Sequence, residues 1–74
     1  MFRKGKTKEA IGLAMESRWL EAIDVNQSIL ELFPDDAESY NRLGRAYMQT
    51  GNYADASDSF KTTLHISPSN AIAK

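Results

Sequence analysis

Tyr40-x-x-Leu43-Gly44-x-x-Tyr47, followed by Ala56-x-x-x-Phe60 and then by Pro68, is the stretch that decides the fold. Residues at i, i+3, i+4 and i+7 share one face of an α-helix, and Tyr40, Leu43, Gly44 and Tyr47 fill that register. Ala56, Phe60, Thr63 and Leu64 form a second stripe of the same kind. Between the two stripes, Thr50-Gly51-Asn52 reads as a helix stop and tight turn. Two helices with facing apolar stripes and a short connection make an antiparallel hairpin. Gly44 and Ala56 are small enough to let the two backbones approach closely, with aromatic rings filling the space around them.

The pattern recurs one step of 34 residues earlier. Pro34 precedes Pro68 by that interval, Ala22 precedes Ala56, and Trp19 precedes Tyr53. Leu30 pairs with Leu64 in the same way, and Leu32 with Ile66. The residue types and spacing of Tyr40 to Pro68 resemble the signature of the tetratricopeptide repeat (TPR) family. That resemblance covers nearly the whole chain. It implies an all-α fold, two TPR hairpins in a short right-handed superhelix, forming one domain over 1–74. Repeat one would span about 3–36 and repeat two about 37–70, with 71–74 starting a third unit or a capping helix.

Four helices are expected, at about 3–16, 19–33, 36–49 and 53–66. No segment alternates with period two, so no strand is expected. The first helix departs from the repeat. Lys6, Glu9 and Ala10 stand where the second repeat has Tyr40, Leu43 and Gly44. Gly5 and Gly12 each weaken a helix interior by about 1 kcal/mol relative to alanine. A terminal repeat has no earlier neighbour for its leading helix and tolerates polar residues there. Ile11, Leu13, Ala14 and Met15 still supply apolar contacts. Asn26 occupies the place of Phe60, which predicts looser or wetter packing. Pro34 ends the second helix, because the residue before a proline is driven out of the α region. Asp35 or Asp36 is expected to cap the third helix, with Glu38 completing a variant capping box. Trp19, Tyr40, Tyr47, Tyr53 and Phe60 fall at core spacing.

Composition removes several function classes. A chain of 74 residues is one domain or a fragment of one, and at this size it buries only about 60% of its unfolded surface. The net charge of −1 argues against general nucleic-acid binding. The chain has no cysteine, hence neither disulfides nor thiolate chemistry, which fits a cytoplasmic protein. No apolar run approaches the ~20 residues of a membrane span, and Met1 to Lys6 lack the apolar core of a signal peptide. His65 is the single histidine; without cysteine or a paired carboxylate it builds neither a triad nor a tetrahedral metal site. The pairs Asp35/Asp36 and Asp55/Asp58 read as caps and solvated faces, and the four glycines lack phosphate-loop spacing. The basic start, Arg3, Lys4, Lys6 and Lys8, reads as a solvated end. No enzyme, cofactor or metal is expected.

The functional expectation follows from the resemblance. In a TPR array the first helices of successive hairpins line a concave groove. Carried onto this chain, the groove residues are Thr7, Lys8, Ile11, Ala14 and Met15 from repeat one, and Asn41, Arg42, Arg45, Met48 and Gln49 from repeat two. Asn41 can hydrogen-bond a peptide backbone, and Lys8, Arg42 and Arg45 can pair a carboxylate. Met15 and Met48 are adaptable apolar contacts. The expectation is a protein-interaction module that holds a partner peptide or helix, acidic or carboxylate-terminated, in a basic groove. The family's full carboxylate clamp is not reproduced, since Ile11 stands where it would need asparagine. The alternative is self-assembly without a peptide ligand, by end stacking or helix exchange through Phe60, Leu64 and Ile72.

Overall fold

The structure, a computed structural model, describes residues 2–67, and within them four helices and no strand. They are α1 (Phe2–Met15), α2 (Trp19–Leu32), α3 (Ala37–Gln49) and α4 (Tyr53–Ile66). The observed ends lie within a residue of those expected from the sequence. Pro68 and Ile72, to which the sequence reading assigns roles, lie outside the described residues.

The two hairpin turns are built alike. Helix α1 closes with Ser17 at φ 61 and α3 with Gly51 at φ 82, both in the left-handed region. In the first turn the amide of Arg18 donates to the Leu13 carbonyl at 2.8 Å, and that of Ser17 to Ala14 at 3.0 Å. In the second, Asn52 donates to Tyr47 at 2.8 Å and Gly51 to Met48 at 3.2 Å. Each pair of bonds is a Schellman motif, which satisfies carbonyls the helix end would leave unpaired. Every member of one turn stands 34 residues from its counterpart in the other. On the exposed side of the first turn, Arg18 forks onto Glu21, with both bonds at 2.6 Å.

Packing follows chain order. Helix α2 lies against α1 and α3, α3 against α4, and α1 reaches α3. Helix α4 packs on α3 alone among the described helices. The core is made of small and medium side chains: Ala10, Ala22, Val25, Ile29, Leu43, Ala46 and Ala56 are buried, together with Asn26, Ser39, Ser59 and Thr63. Ile29 is the largest fully buried side chain, and burial of that size is worth about 1.5–3 kcal/mol. The hydroxyl of Thr63 is absorbed within its own helix, donating to the Ser59 carbonyl at 3.0 Å. Helices α3 and α4 meet where Gly44 faces Phe60. A Cβ at Gly44 would fall 2.6–2.9 Å from the Phe60 ring, so any side chain there requires the ring to shift.

The structure corrects several expectations. Tyr53 is not core; it is 68% exposed, because no described helix covers that side of α4. Trp19, Tyr40, Tyr47 and Phe60 are half-buried rather than enclosed. Thr63, which shares the second stripe with Phe60 and Leu64, is buried against the hairpin while Leu64 is exposed. Asp36 occupies the start of α3 without bonding its backbone through the side chain; its carboxylate accepts from the Ser39 hydroxyl at 3.0 Å. Asn26 is neither loose nor wet, being 1% exposed. Its amide donates to the Ala22 carbonyl at 2.8 Å and its oxygen accepts from Arg42 Nε at 3.0 Å.

Candidate functional site

Helices α1 and α3 stand side by side over α2 and enclose a cleft of about 230 Å³. Ile11, Ala14 and Met15 of α1 form one wall, and Arg42 and Arg45 of α3 form the other. Trp19, Ala22 and Asn26 of α2 make the floor. The 3.6-residue period places Ile11, Ala14 and Met15 on one face of α1. The same period brings Arg42 and Arg45 onto one face of α3. Met15 is 82% exposed and overhangs the opening, and Arg45 is exposed.

The two arginines differ in what they can offer. Arg42 is half-buried and already engaged, donating from Nε to Asn26 and from one terminal nitrogen to the Ser39 hydroxyl, each at 3.0 Å. Burial lowers its pKa from the ordinary arginine value, against the raising influence of Asp36 and Glu38. Arginine stays charged at neutral pH under any such shift, so a fixed cation sits at the cleft wall. Ser39 relays it on to Asp36, giving a chain Asp36–Ser39–Arg42–Asn26 that ties α3 to α2. Arg42 is therefore first a structural link between the hairpins and only second a surface for ligand.

The residues assigned to the groove divide into three groups. Arg42 and Arg45 join the α1 wall in the cleft. Asn41 and Met48 instead border two depressions on the open side of α4. Asn41 lines one with Phe60, Thr63 and Leu64, and Met48 lines the other with Tyr53 and Phe60. Lys8 and Gln49, exposed on their helices, and Thr7, half-buried, line neither the cleft nor these depressions. Of the residues assigned to self-association, Leu64 is 47% exposed and Phe60 is half-buried. Trp19 and Asn26 were missed as cleft residues. The available signal was an amide on an otherwise apolar helix face, which demands a polar partner from a neighbour.

Among the described residues no group of histidine, cysteine and carboxylates is placed to hold a metal ion. No described helix is long and apolar enough to cross a membrane. A family model for the tetratricopeptide repeat matches residues 13–74. The chain belongs to the tetratricopeptide-repeat family, a non-catalytic family of protein–protein interaction scaffolds. It is 33% identical over 64 residues to the Hsp70-Hsp90 organizing protein of Triticum aestivum. The match covers 86% of this chain and 11% of that relative, so the chain spans about a tenth of its length.

Proposed function

We propose that the chain is an interaction module whose α1/α3 cleft holds an acidic segment of a partner protein. The observation that carries this reading is the meeting of an apolar wall, Ile11, Ala14 and Met15, with the cationic wall of Arg42 and Arg45. An apolar side chain of the ligand enters between Met15 and Trp19, and a neighbouring carboxylate pairs with Arg45. A charge-assisted bond of that kind contributes roughly 1.5–3 kcal/mol where water is partly excluded. The relative's name, an organizer of two partner proteins, fits a module that binds without turnover.

The test is fluorescence anisotropy with an acidic peptide ending in a free carboxylate, beside its C-terminal amide and a version with the acids neutralised. Arg45→Glu should weaken binding by about tenfold or more, as the loss of one such pair predicts, while leaving helicity by circular dichroism unchanged. Met15→Glu should act similarly from the opposite wall. Binding that survives both changes removes the cleft from consideration.

A further inference from the structure

The side chains of the α1/α3 cleft offer a ligand many hydrogen-bond donors and almost no acceptor. The polar ones are Trp19, Asn26, Arg42 and Arg45. Tryptophan and arginine can only donate, and the Met15 sulfur is a weak acceptor. The oxygen of Asn26 is the strong acceptor of the set, and Arg42 Nε already donates to it at 3.0 Å. One N–H of the Asn26 amide goes to the Ala22 carbonyl, which leaves the other open. Arg42 commits Nε to Asn26 and Nη2 to Ser39, so its Nη1 has no partner among the described residues. The Arg45 guanidinium and the Trp19 indole N–H have none there either.

The charges are as one-sided as the hydrogen bonds. Two cations line the cleft, and no carboxylate does. Arg42 and Arg45 stand three residues apart on α3, a spacing at which like charges repel. Among the described residues neither closes an ion pair, whereas Arg18, outside the cleft, is forked between Glu16 and Glu21. Asp36 reaches Arg42 only through Ser39, and Glu38 acts on it from beyond ion-pair distance. A ligand carboxylate carries one charge, so it pairs with one guanidinium and leaves the other uncompensated. A phosphorylated side chain carries close to two negative charges at neutral pH and three strong acceptor oxygens. It can therefore bridge both arginines, whose planar forks match phosphate oxygens.

We propose that the acidic group this cleft selects is a phosphorylated serine or threonine of a partner protein, next to an apolar residue that Ile11, Ala14 and Met15 receive. The proposal rests on the reading that the cleft holds an acidic segment, and it adds a control: phosphorylation of the partner turns docking on. Free phosphate satisfies the arginines but leaves the apolar wall uncovered. A nucleic-acid strand, which carries phosphates as well, meets a chain of net charge −1 and an apolar wall that its backbone cannot use.

Trp19 is the single tryptophan, so its indole N–H resonance reports on the cleft directly. NMR titration of the full chain uses one peptide in three forms, with phosphoserine, glutamate or serine at the same position, beside inorganic phosphate and a short RNA strand. The phosphoserine form should bind about tenfold more tightly than the glutamate form, as one further charge-assisted bond predicts. It should shift the Trp19 indole N–H and the Nε–H signals of Arg42 and Arg45. Serine peptide, inorganic phosphate and RNA should all bind more weakly than the phosphoserine form. Arg45→Gln should bring the phosphoserine and glutamate forms close to equal. Asn26→Asp, which gives Arg42 a carboxylate of its own, should do the same while leaving glutamate to pair with Arg45. Because Asn26 is buried, the exposed change Arg45→Gln decides the matter should Asn26→Asp lose helicity by circular dichroism. Equal binding of the phosphoserine and glutamate forms in the parent chain would overturn the phosphate proposal and leave the acidic-segment reading standing. Failure of both forms to move Trp19 would overturn the two together. Inorganic phosphate or RNA bound as tightly as the phosphopeptide would also overturn the proposal.

Discussion

The two hairpins solve one packing problem in opposite ways. In the second, the place of closest approach is held by Gly44 and Phe60, a ring seated on a backbone with no side chain between them. In the first, the corresponding positions are Ala10 and Asn26, both fully buried. Phe60 seals its own hairpin. Asn26, smaller and polar, turns part of its bonding capacity outward to Arg42 on the neighbouring hairpin. One position is thus spent on closing a hairpin and its equivalent on joining two of them. The difference shows how a repeat with a fixed period can still assign separate jobs to equivalent residues.

Replacing Asn26 should break this arrangement with the largest effect. Asn26→Leu keeps an apolar core but leaves the Arg42 guanidinium without its acceptor beside a buried surface. Leaving a buried polar partner unpaired costs about 1–3 kcal/mol, and more for a charged group. In a domain of this size each 1 kcal/mol lowers Tm by roughly 4–8 °C. Arg42→Leu in the same chain should recover part of the loss. The two changes should therefore be non-additive in urea unfolding by at least about 0.5 kcal/mol, as expected for residues in direct contact. Strict additivity would mean that the link is incidental.

The second hairpin is tested at Gly44. Gly44→Ala places a methyl within 2.6–2.9 Å of the Phe60 ring. Overpacking of this kind costs about 1–3 kcal/mol, against a gain of about 1 kcal/mol in helix propensity. A net loss of about 0–2 kcal/mol is expected from those two magnitudes. With Phe60→Leu already present the ring is gone, and the same alanine should become neutral or stabilising. A stabilising Gly44→Ala in the parent chain would show that the ring gives way freely and that the pairing is not a constraint.

The sequence made the fold legible because the signals there are local and redundant. The stripe through Tyr40, Leu43, Gly44 and Tyr47 needs only helical geometry, and Gly51 marks its own turn. The site was less legible because it depends on what neighbouring elements bring. Arg42 looks like a free cation in sequence, and only its approach to Asn26 and Ser39 shows it engaged. Asn41 and Met48 share the groove spacing with Arg45, yet they border the open side of α4. Tyr53 has the spacing of a core residue, and among the described residues no helix covers it. Periodicity tells which face a residue is on, whereas coverage depends on which other helix is present.

The smallest expected effect separates the two turns. Both chain reversals need a left-handed residue, but the first uses Ser17 at φ 61 and the second Gly51 at φ 82. A side chain in that region costs roughly 1–2 kcal/mol relative to glycine. Glycine in turn loosens the unfolded chain by about 0.4–1 kcal/mol. Ser17→Gly should therefore stabilise the chain, but by only about 0.5 kcal/mol once both terms are counted, and Gly51→Ser should destabilise it by a similar amount. Carrying out both exchanges together moves the strained residue from one turn to the other while keeping composition fixed. Equal stability of the double exchange and the parent would mean that the turns are interchangeable. A net loss would mean that the second hairpin, with its ring already pressed onto Gly44, has less slack to accommodate a side chain in its turn.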